Sequence, residues 1–364
     1  MANPMRNWID RFLGRGEAAV TVPPLDGALK PNNRLDDATV AIAVAAPDNL
    51  IPHGDGVIHS SGATLFRQPA DGSAASAFAT AGGPVSALAV GTDGTIAVAA
   101  ASAITYLNAA GEAMSGLSAG GRDWSGVTAI AFAPDGALWI TIGSAKNSLD
   151  DWQRDLLDGE SAGSLWRLDP RTGEARQIAE RLAYPNGVMA EADGAIIISE
   201  AWRKRLVRIG AGGQIRDQVM EDLPGYPARI GRSARGGYWL AIFAPRSPLI
   251  EFVLREPVYR KAMMAEVDKE FWIAPALRSG RSFREPMQGG ALKQMGILKP
   301  WAPTRSYGLV VELGPDFVPL RSFHSRTGGK RHGVTSAAEA GGRLWVSSRG
   351  GDELVAIDLA SEAN

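Results

Sequence analysis

Residues 129–142 read AIAFAPDGALWITI, and the pattern of this stretch decides the fold. Apolar and small residues alternate on both sides of Pro-Asp-Gly, and alternation with a period of two is typical of β-strands. An Asp-Gly pair between two such runs favours a tight hairpin turn, because glycine adopts the positive φ that this turn requires. The stretch is therefore predicted to form an antiparallel β-hairpin.

The same unit recurs along the chain. Each copy has an apolar run, a turn rich in Asp or Gly and a second apolar run; the copies begin at Asn49, Ala87, Ala129, Val188, Ile230 and Ser336. Further strands follow most hairpins, for example SLWRLDP at Ser164 and ARQIAER at Ala175. Four-stranded antiparallel units that repeat about every 40 residues are the signature of propeller blades. The sequence thus predicts an all-β fold, a six-bladed β-propeller.

The spacing of the copies predicts the domain organisation. Residues 1–30 are interpreted as an N-terminal extension and residues 31–364 as one propeller domain, in which TVAIAVAA at 39–46 completes the last blade and closes the ring. Two stretched spacings predict helical insertions in blades three and five, at about 143–162 and 245–307, lying on one face as lids. A short amphipathic N-terminal helix is predicted from the apolar residues Trp8, Ile9, Phe12 and Leu13. Its apolar face is expected to dock on the propeller or, alternatively, on a membrane surface or a partner.

Composition excludes several classes of protein. Hydrophobic residues make up 45% of the chain and charged residues 21%, which suits a large core and excludes disorder. The net charge of -1 gives no overall attraction to nucleic acid, and the absence of cysteine excludes disulfides and thiolate chemistry. The first residues contain no apolar run that predicts a signal peptide or membrane span, so a cytoplasmic location is expected. The expected partner is a small molecule.

The hairpin repeat also predicts where a site lies. In an antiparallel hairpin the start of the first strand and the end of the second share one face, so these positions from all blades surround one mouth of the channel. Such a ring of polar groups at an apolar opening is the default small-molecule site. The residues near the strand starts are Asp48, Ser86, Thr128, Asn186, Arg229 and Thr335. The second-strand ends add His59, Glu200, Phe243 and Ser348.

Some of these residues have a structural alternative. Asn186, in YPNGV, could satisfy backbone groups at a turn, and Glu200 could pair with Arg203 or Arg205. Arg229 is interpreted as a ligand contact, because a guanidinium that faces a channel needs an anion. The chain has four histidines without an HxH or HExxH pattern, and it has no GxSxG elbow or phosphate loop in the required setting.

Several separated motifs resemble the strictosidine-synthase-like family. They occur in the family's order and include DWQRDLLDGESAGSLWRLDP from Asp151, ISEAWRKRLVRI from Ile198, LPGYPARIGRSARGGYWLAI from Leu223, FVLREPVYRKAMM from Phe252 and HGVTSAAEAGGRLWVSS from His332. The resemblance runs from about Trp124 to the C-terminus and more weakly back to Ala46. It implies the propeller fold shared with gluconolactonases, regucalcin and paraoxonases, which are calcium-dependent hydrolases.

The resemblance implies two chemistries. In the hydrolases a calcium ion at the channel mouth is held by acidic and Asn side chains; here Asp48 and Asn186 match two ligand positions, while Thr128, Ala228 and Arg229 replace the others. An arginine beside a divalent cation is repulsive, so calcium is a doubtful cofactor. Strictosidine synthase condenses an amine with an aldehyde by means of a blade-six Glu, and Thr335 stands at that position.

Three functions remain open from the sequence. The first is a lactone or ester hydrolase that uses Glu200 as acid/base together with Asp48 and Arg229. Its substrate contacts would be Asn186, Thr128, Thr335, Ser86, His59 and Phe243. The second is a non-catalytic propeller that binds an anionic metabolite or a partner, and the third is the amine–aldehyde condensation, which the threonine at position 335 disfavours because it cannot exchange a proton as a carboxylate does.

Overall fold

A computed structural model of the chain describes residues 22–210, 212–282, 284–285, 292–294, 297–299 and 306–361. Six antiparallel sheets surround a central channel, and the predicted six-bladed β-propeller is confirmed. The innermost strands contact one another in a closed circle, because the first strand of each blade packs against the first strands of both neighbours. The predicted N-terminal helix lies outside the described residues.

Blades one and three have four strands each, and blade two has three. Blade one consists of β2 (Asp48–His53), β3 (Gly56–Ser61), β4 (Thr64–Gln68) and β5 (Ser76–Thr80). Blade two consists of β6 (Val85–Val90), β7 (Ile96–Ala100) and β8 (Ala103–Leu107). Blade three consists of β9 (Val127–Phe132), β10 (Leu138–Ile142), β11 (Gly163–Leu168) and β12 (Ala175–Leu182).

Blades four to six have four strands each. Blade four consists of β13 (Pro185–Ala190), β14 (Ile196–Glu200), β15 (Arg205–Ile209) and β16 (Ile215–Met220). Blade five consists of β17 (Gly225–Arg232), β18 (Tyr238–Pro245), β21 (Gly308–Leu313) and β22 (Pro319–Ser325). Blade six consists of β23 (Val334–Ala340), β24 (Arg343–Ser348), β25 (Glu353–Asp358) and β1 (Val40–Ala43).

The ring closes by pairing the two ends of the propeller. Strand β1 is antiparallel to β25, with Val40 opposite Ala356 and Ala43 opposite Glu353. The outermost strand of blade six therefore comes from the N-terminal side of the chain, as predicted. This arrangement ties the first and last blades together and removes a bare strand edge from the joint.

The hairpin turns have a shared local cause. In the hairpins of blades two, three and four, the turn aspartate accepts a hydrogen bond from the backbone N–H two residues later, for example Thr95 N to Asp93 Oδ1 at 2.9 Å and Ala195 N to Asp193 Oδ1 at 2.9 Å. The glycine between them has φ of 83° at Gly94, a conformation that a side chain would strain. The local sequence therefore specifies the geometry of these turns.

Helices occur in two insertions that follow the second strands of blades three and five, and they confirm the predicted helical character of both. The first contains a 3₁₀ turn (Leu149–Asp151) and α1 (Trp152–Asp158), and the second contains α2 (Pro248–Val253), α3 (Pro257–Glu266), a 3₁₀ turn (Lys269–Phe271) and the short strands β19 (Leu292–Gln294) and β20 (Ile297–Lys299). Ser247 caps α2 by accepting a hydrogen bond from Ile250 N, and Pro248 occupies the first helical position.

The two insertions pack on each other. Leu157 of α1 shares a hydrophobic cluster with Val253, Met263 and Trp272 of the second insertion. Gln153 Nε2 donates to the Pro275 backbone oxygen at 2.7 Å. Because both insertions leave the ring from second-strand ends, they lie on the same face, which is the face where the innermost strands begin. They form a cap beside the mouth of the channel.

Candidate functional site at the channel mouth

A cavity of about 250 Å³ lies at this mouth. Its lining includes a residue from the start of the innermost strand of every blade: Asp48, Ser86, Thr128, Asn186, Arg229 and Thr335. Phe243, from a second-strand end, also lines it. Residues separated by almost the whole chain therefore converge on one opening, because the ring brings all six blades to a common axis.

The side chain of Arg229, from blade five, extends to the centre of the mouth. Its Nη1 donates to Asp48 Oδ1 at 2.8 Å and its Nη2 donates to the backbone oxygens of Ser86 at 2.7 Å and Thr128 at 3.2 Å. A longer contact of 3.5 Å joins Nη1 to the Thr335 backbone oxygen. One guanidinium thus reaches blades one, two, three and six.

A bulge in β17 explains how Arg229 reaches the axis. The pairing with β18 shifts register between Pro227 and Ile230, so that two residues of β17 oppose one residue of β18. A bulge bends the strand and redirects the side chains within it. Ala228 O accepts a hydrogen bond from Ser199 Oγ of blade four at 2.7 Å, which holds the bulge against its neighbour.

The described residues do not fit the calcium ion that the family resemblance implied. The oxygens that face the axis already accept hydrogen bonds from Arg229, and a guanidinium in this position repels a second cation. Thr128 Oγ1 donates to Pro185 O at 2.5 Å, and Ala228 offers no side-chain ligand. Asn186 Nδ2 lies 3.5 Å from Pro227 O. In the described part of the chain, no three His, Asp or Glu side chains cluster as metal ligands.

The two carboxylate oxygens of Asp48 have different surroundings. Oδ1 accepts hydrogen bonds from Arg229 Nη1, from Asn49 N at 2.8 Å and from Thr335 Oγ1 at 2.7 Å. Oδ2 has a single long contact among the described residues, 3.4 Å from Arg349 Nη1. The side chain is 9% exposed, and Asp48 lines the cavity. One oxygen is therefore fixed, while the other remains available for a ligand or a water molecule.

Asn49 sets the direction of Asp48. Its φ is +58°, in the left-handed region that Asn tolerates better than most residues, and the pairing of β2 with β3 changes register between Asp48 and Ile51. Asn49 Nδ2 donates to Ser60 Oγ at 2.8 Å and to Val85 O at 3.1 Å. These bonds stabilise the unusual backbone and connect it to blade two.

The aromatic side chains of Trp152, Tyr184 and Phe243 line the other side of the mouth and form an aromatic wall. Trp152 of α1 contacts Phe243 edge-on with 5.4 Å between ring centroids, and both line the cavity together with Tyr184. Tyr184 stacks on Trp202 at 4.4 Å. Burial raises the pKa of the Tyr184 hydroxyl well above its usual value, and the negative charge of Asp155 adds to this rise. The hydroxyl is therefore neutral across the physiological pH range.

A buried hydrogen bond holds the first insertion against this wall. Asp155 of α1 is almost fully buried, and its Oδ1 accepts from Trp202 Nε1 at 2.8 Å. Asn147 Nδ2 donates to its Oδ2 at 3.1 Å. Because α1 also carries Trp152, the position of the aromatic wall depends on the docking of the insertion.

Three residues expected at the mouth lie outside the cavity lining: Glu200, His59 and Ser348, which is buried and donates from its Oγ to His332 O at 2.9 Å. Glu200 is fully buried; its Oε1 accepts from Ala183 N and Arg203 Nη1, and its Oε2 accepts from Arg205 Nε at 2.6 Å. This matches the structural alternative for Glu200, and with its oxygens occupied away from the cavity it is not retained as an acid/base. His59 is buried and stacks on Phe66 at 5.5 Å, also outside the cavity lining.

Sequence reasoning missed all four of the other charged or aromatic residues of the cavity: Arg349, Asp150, Trp152 and Tyr184. Arg349 directly follows Ser348 at a second-strand end, so the same hairpin rule applied one residue further would have found it. Tyr184 precedes β13 by one residue and could have been found in the same way. Asp150 and Trp152 belong to the insertion, whose fold no repeat pattern predicts.

Comparison with known proteins supports the family resemblance. Residues 129–210, which run from the first strand of blade three to the third strand of blade four, match the strictosidine synthase family model. The chain is 35% identical over 108 residues to protein STRICTOSIDINE SYNTHASE-LIKE 13 of Arabidopsis thaliana, a match that covers 29% of this chain and 27% of that protein. It is 26% identical over 231 residues to the adipocyte plasma membrane-associated protein of Danio rerio, covering 61% of this chain and 49% of that protein. The chain thus spans about half the length of this relative.

Solved structures share the fold. A gluconolactonase from Xanthomonas campestris superposes with a TM-score of 0.53 at 16% identity, covering 89% of this chain and 90% of its own. A regucalcin from Agrobacterium tumefaciens gives 0.50 at 14% identity, covering 86% and 85%. At identities this low, the superpositions indicate a common fold and are not evidence of a common activity.

The helices bear on the cellular location of the protein. Within the described ranges, each helix is too short or too polar to cross a bilayer. One relative is named for association with the plasma membrane, so the cytoplasmic location stays a prediction.

The resemblance to strictosidine-synthase-like proteins that the motifs indicated is confirmed, in a six-bladed propeller of the kind seen in gluconolactonase and regucalcin.

Proposed function

We propose that this chain hydrolyses a lactone or ester of a small molecule at the channel mouth, without a metal ion. The observation that carries the proposal is the asymmetry of Asp48, whose Oδ1 is fixed by three donors while Oδ2 faces Arg349 across 3.4 Å. A carboxylate held in one orientation, with one oxygen available, is suited to general-base catalysis. The exposed guanidinium beside it is suited to stabilising negative charge.

The reaction follows from these positions. Asp48 Oδ2 accepts a proton from a water molecule as its oxygen adds to the carbonyl carbon of the substrate, and the carbonyl oxygen becomes negatively charged. Arg349, with 44% of its side chain exposed, donates hydrogen bonds to that oxygen. The carbonyl then re-forms, the bond to the ester oxygen breaks, and the proton passes from Asp48 to the leaving alkoxide. An ester gives an acid and an alcohol, and a lactone gives a hydroxy acid.

Arg229 and Thr335 have positioning roles in this proposal. Both donate to Asp48 Oδ1, so they fix the plane of the carboxylate and leave Oδ2 directed away from them. Arg229 also supplies the positive charge at the axis without a metal. The aromatic wall at Trp152 and Phe243 offers an apolar surface for the body of the substrate.

The experiment is a panel of lactones and esters, assayed with and without EDTA, on wild type and three variants. We expect turnover that EDTA leaves unchanged, a loss of about 10²-fold or more in Asp48→Asn, and a loss of about 10²-fold in Arg349→Met. Asp55→Asn is the matched control, because Asp55 is exposed at the opposite end of the same hairpin. No turnover of any ester, activity abolished by EDTA, or full activity in Asp48→Asn would overturn the proposal.

A second candidate is non-catalytic binding of a small anion. It is favoured by Arg349, whose guanidinium is half-exposed at the cavity and has only the long contact to Asp48 among its described ion pairs. A ligand carboxylate could form two charge-assisted hydrogen bonds with it. Thermal-shift measurements with carboxylates and sugar acids separate the two functions: stabilisation without turnover supports binding, whereas turnover supports hydrolysis.

A further inference from the structure

Asp150 places at the mouth a carboxylate that is paired with none of the described side chains. The residue is exposed and lines the cavity, and its carboxylate has no hydrogen bond or ion pair to the residues that the structure describes. Only its backbone oxygen is bound, by Lys269 Nζ. The next residue, Asp151, differs: its carboxylate accepts hydrogen bonds from Lys269 Nζ at 2.8 Å and Ser148 Oγ at 3.1 Å, and it does not line the cavity.

Aromatic rings accompany this charge. Trp152 and Tyr184 line the same cavity, and Phe243 contacts the Trp152 ring. Burial and Asp155 raise the pKa of Tyr184, Arg349 and Arg229 lower it, and Asp150 makes a smaller contribution that raises it, so this ring is close to charges of both signs. A carboxylate beside aromatic faces is the combination that attracts organic cations, since the ring faces are electron-rich.

We propose that Asp150, together with the faces of Trp152 and Tyr184, recognises an alkylammonium group on the substrate. The inference rests on the proposed hydrolysis for the other end of the molecule, and it names the substrate class as an ester or lactone that carries a cationic nitrogen. It also makes Asp150 a specificity-determining residue that takes no part in the bond-breaking step.

The arrangement of charges at the mouth supports two separate poles. Arg349 and Asp48 pair at the joint between blades six and one. Asp150 lies in the insertion that follows the second strand of blade three. Two residues later, the indole of Trp152 contacts Trp202 of blade four and Phe243 of blade five. The two poles therefore come from different parts of the ring, one from blades six and one and the other from the insertion of blade three. A substrate that spans them presents its carbonyl to Asp48 and Arg349 and its cation to Asp150.

The test uses choline and its neutral, isosteric analogue 3,3-dimethyl-1-butanol, with binding measured by calorimetry on the full chain. We expect choline to bind about tenfold more tightly, since a carboxylate and aromatic faces each contribute to binding of the cation. Asp150→Asn should remove most of this preference. Asp151→Asn is the matched control, because it neutralises the neighbouring carboxylate that is paired outside the cavity, and it should keep the preference.

The outcomes separate this inference from the proposed hydrolysis. Equal affinity for the two probes, no measurable binding of choline, or an undiminished preference in Asp150→Asn would overturn the inference. Hydrolysis of neutral esters without any choline preference leaves the proposed function standing and removes only the cation. Choline preference without turnover of any ester, choline esters included, supports the inference and removes the hydrolase.

Discussion

Two clusters in this propeller contain the same groups, one carboxylate and two arginines. Glu200 pairs with Arg203 and Arg205, which are three and five residues away in blade four, and is fully buried. Asp48 pairs with Arg229 and Arg349, which are 181 and 301 residues away in blades five and six, and one of its oxygens reaches a cavity. The first cluster is local and closed, whereas the second is built by ring closure and remains open.

Chemical composition therefore does not identify a site. A buried carboxylate with every lone pair engaged stabilises its surroundings but has no oxygen for a substrate. The same group with one engaged and one available oxygen can take part in catalysis.

Removing the charge of the closed cluster should cost the most. Glu200→Gln leaves two guanidinium groups without their buried counter-charge, and we expect the free energy of unfolding to fall by about 3–5 kcal/mol. Urea denaturation measures the change. Asp48→Asn should cost less, about 1–2 kcal/mol, because Oδ2 is not satisfied within the protein. Equal losses in the two variants would contradict the distinction between closed and open clusters.

Arg229→Ala should cost about 2–3 kcal/mol and change the response to calcium. It leaves Asp48 Oδ1 and the backbone oxygens of Ser86 and Thr128 without their donor. These are oxygen ligands of the kind that calcium prefers. We expect millimolar calcium to raise the melting temperature of the variant and to leave that of wild type unchanged. A calcium-dependent shift in wild type would contradict the role given to Arg229.

Acid should weaken the blade that carries Asp48 through a neighbouring histidine. His59 lies on β3, the strand paired with the Asp48 strand, and burial lowers its pKa from 6.5 to about 4. Because the folded state disfavours the charged ring, this stability is present above pH 6.5 and is lost as the pH falls towards 4. The expected loss from His59 at pH 5 is about 2 kcal/mol.

The measurement is the free energy of unfolding at pH 7 and pH 5 in wild type and His59→Phe. The variant should lose about 2 kcal/mol less than wild type over this interval. His324, whose pKa burial also lowers to about 4, remains in both proteins and contributes equally to their losses. The same pH dependence in both proteins would show that His59 is not protected as the structure indicates.

Arg349→Met should have the smallest effect on stability, at most about 1 kcal/mol, because a half-exposed guanidinium 3.4 Å from its partner forms a weak ion pair. Arg205→Met, in the closed cluster, is the matched comparison and should cost several times more. Thermal unfolding of the two variants side by side checks the difference. If Arg349→Met proved as destabilising as Arg205→Met, the open cluster would be a structural one.

Local sequence patterns are sufficient to predict the blades and one residue of the mouth from the start of each inner strand. Alternating apolar runs around Asp-Gly turns are local signals, and a hairpin with one fixed turn also fixes which residue begins its inner strand. Asp48, Asn186 and Arg229 were therefore predicted at one opening, and they line one cavity. The joining of β1 to β25 followed from counting strands in the repeat.

The availability of these groups depends on contacts that form only in the folded ring. The hairpin rule places Glu200 near the face of the ring but does not say that Ala183, Arg203 and Arg205 occupy its oxygens. The repeat also carries no information about Asp150 and Trp152, because an insertion packs wherever its apolar face finds a partner. Hydrogen-bond occupancy and burial depend on contacts between distant residues, and these contacts exist only once the ring has closed.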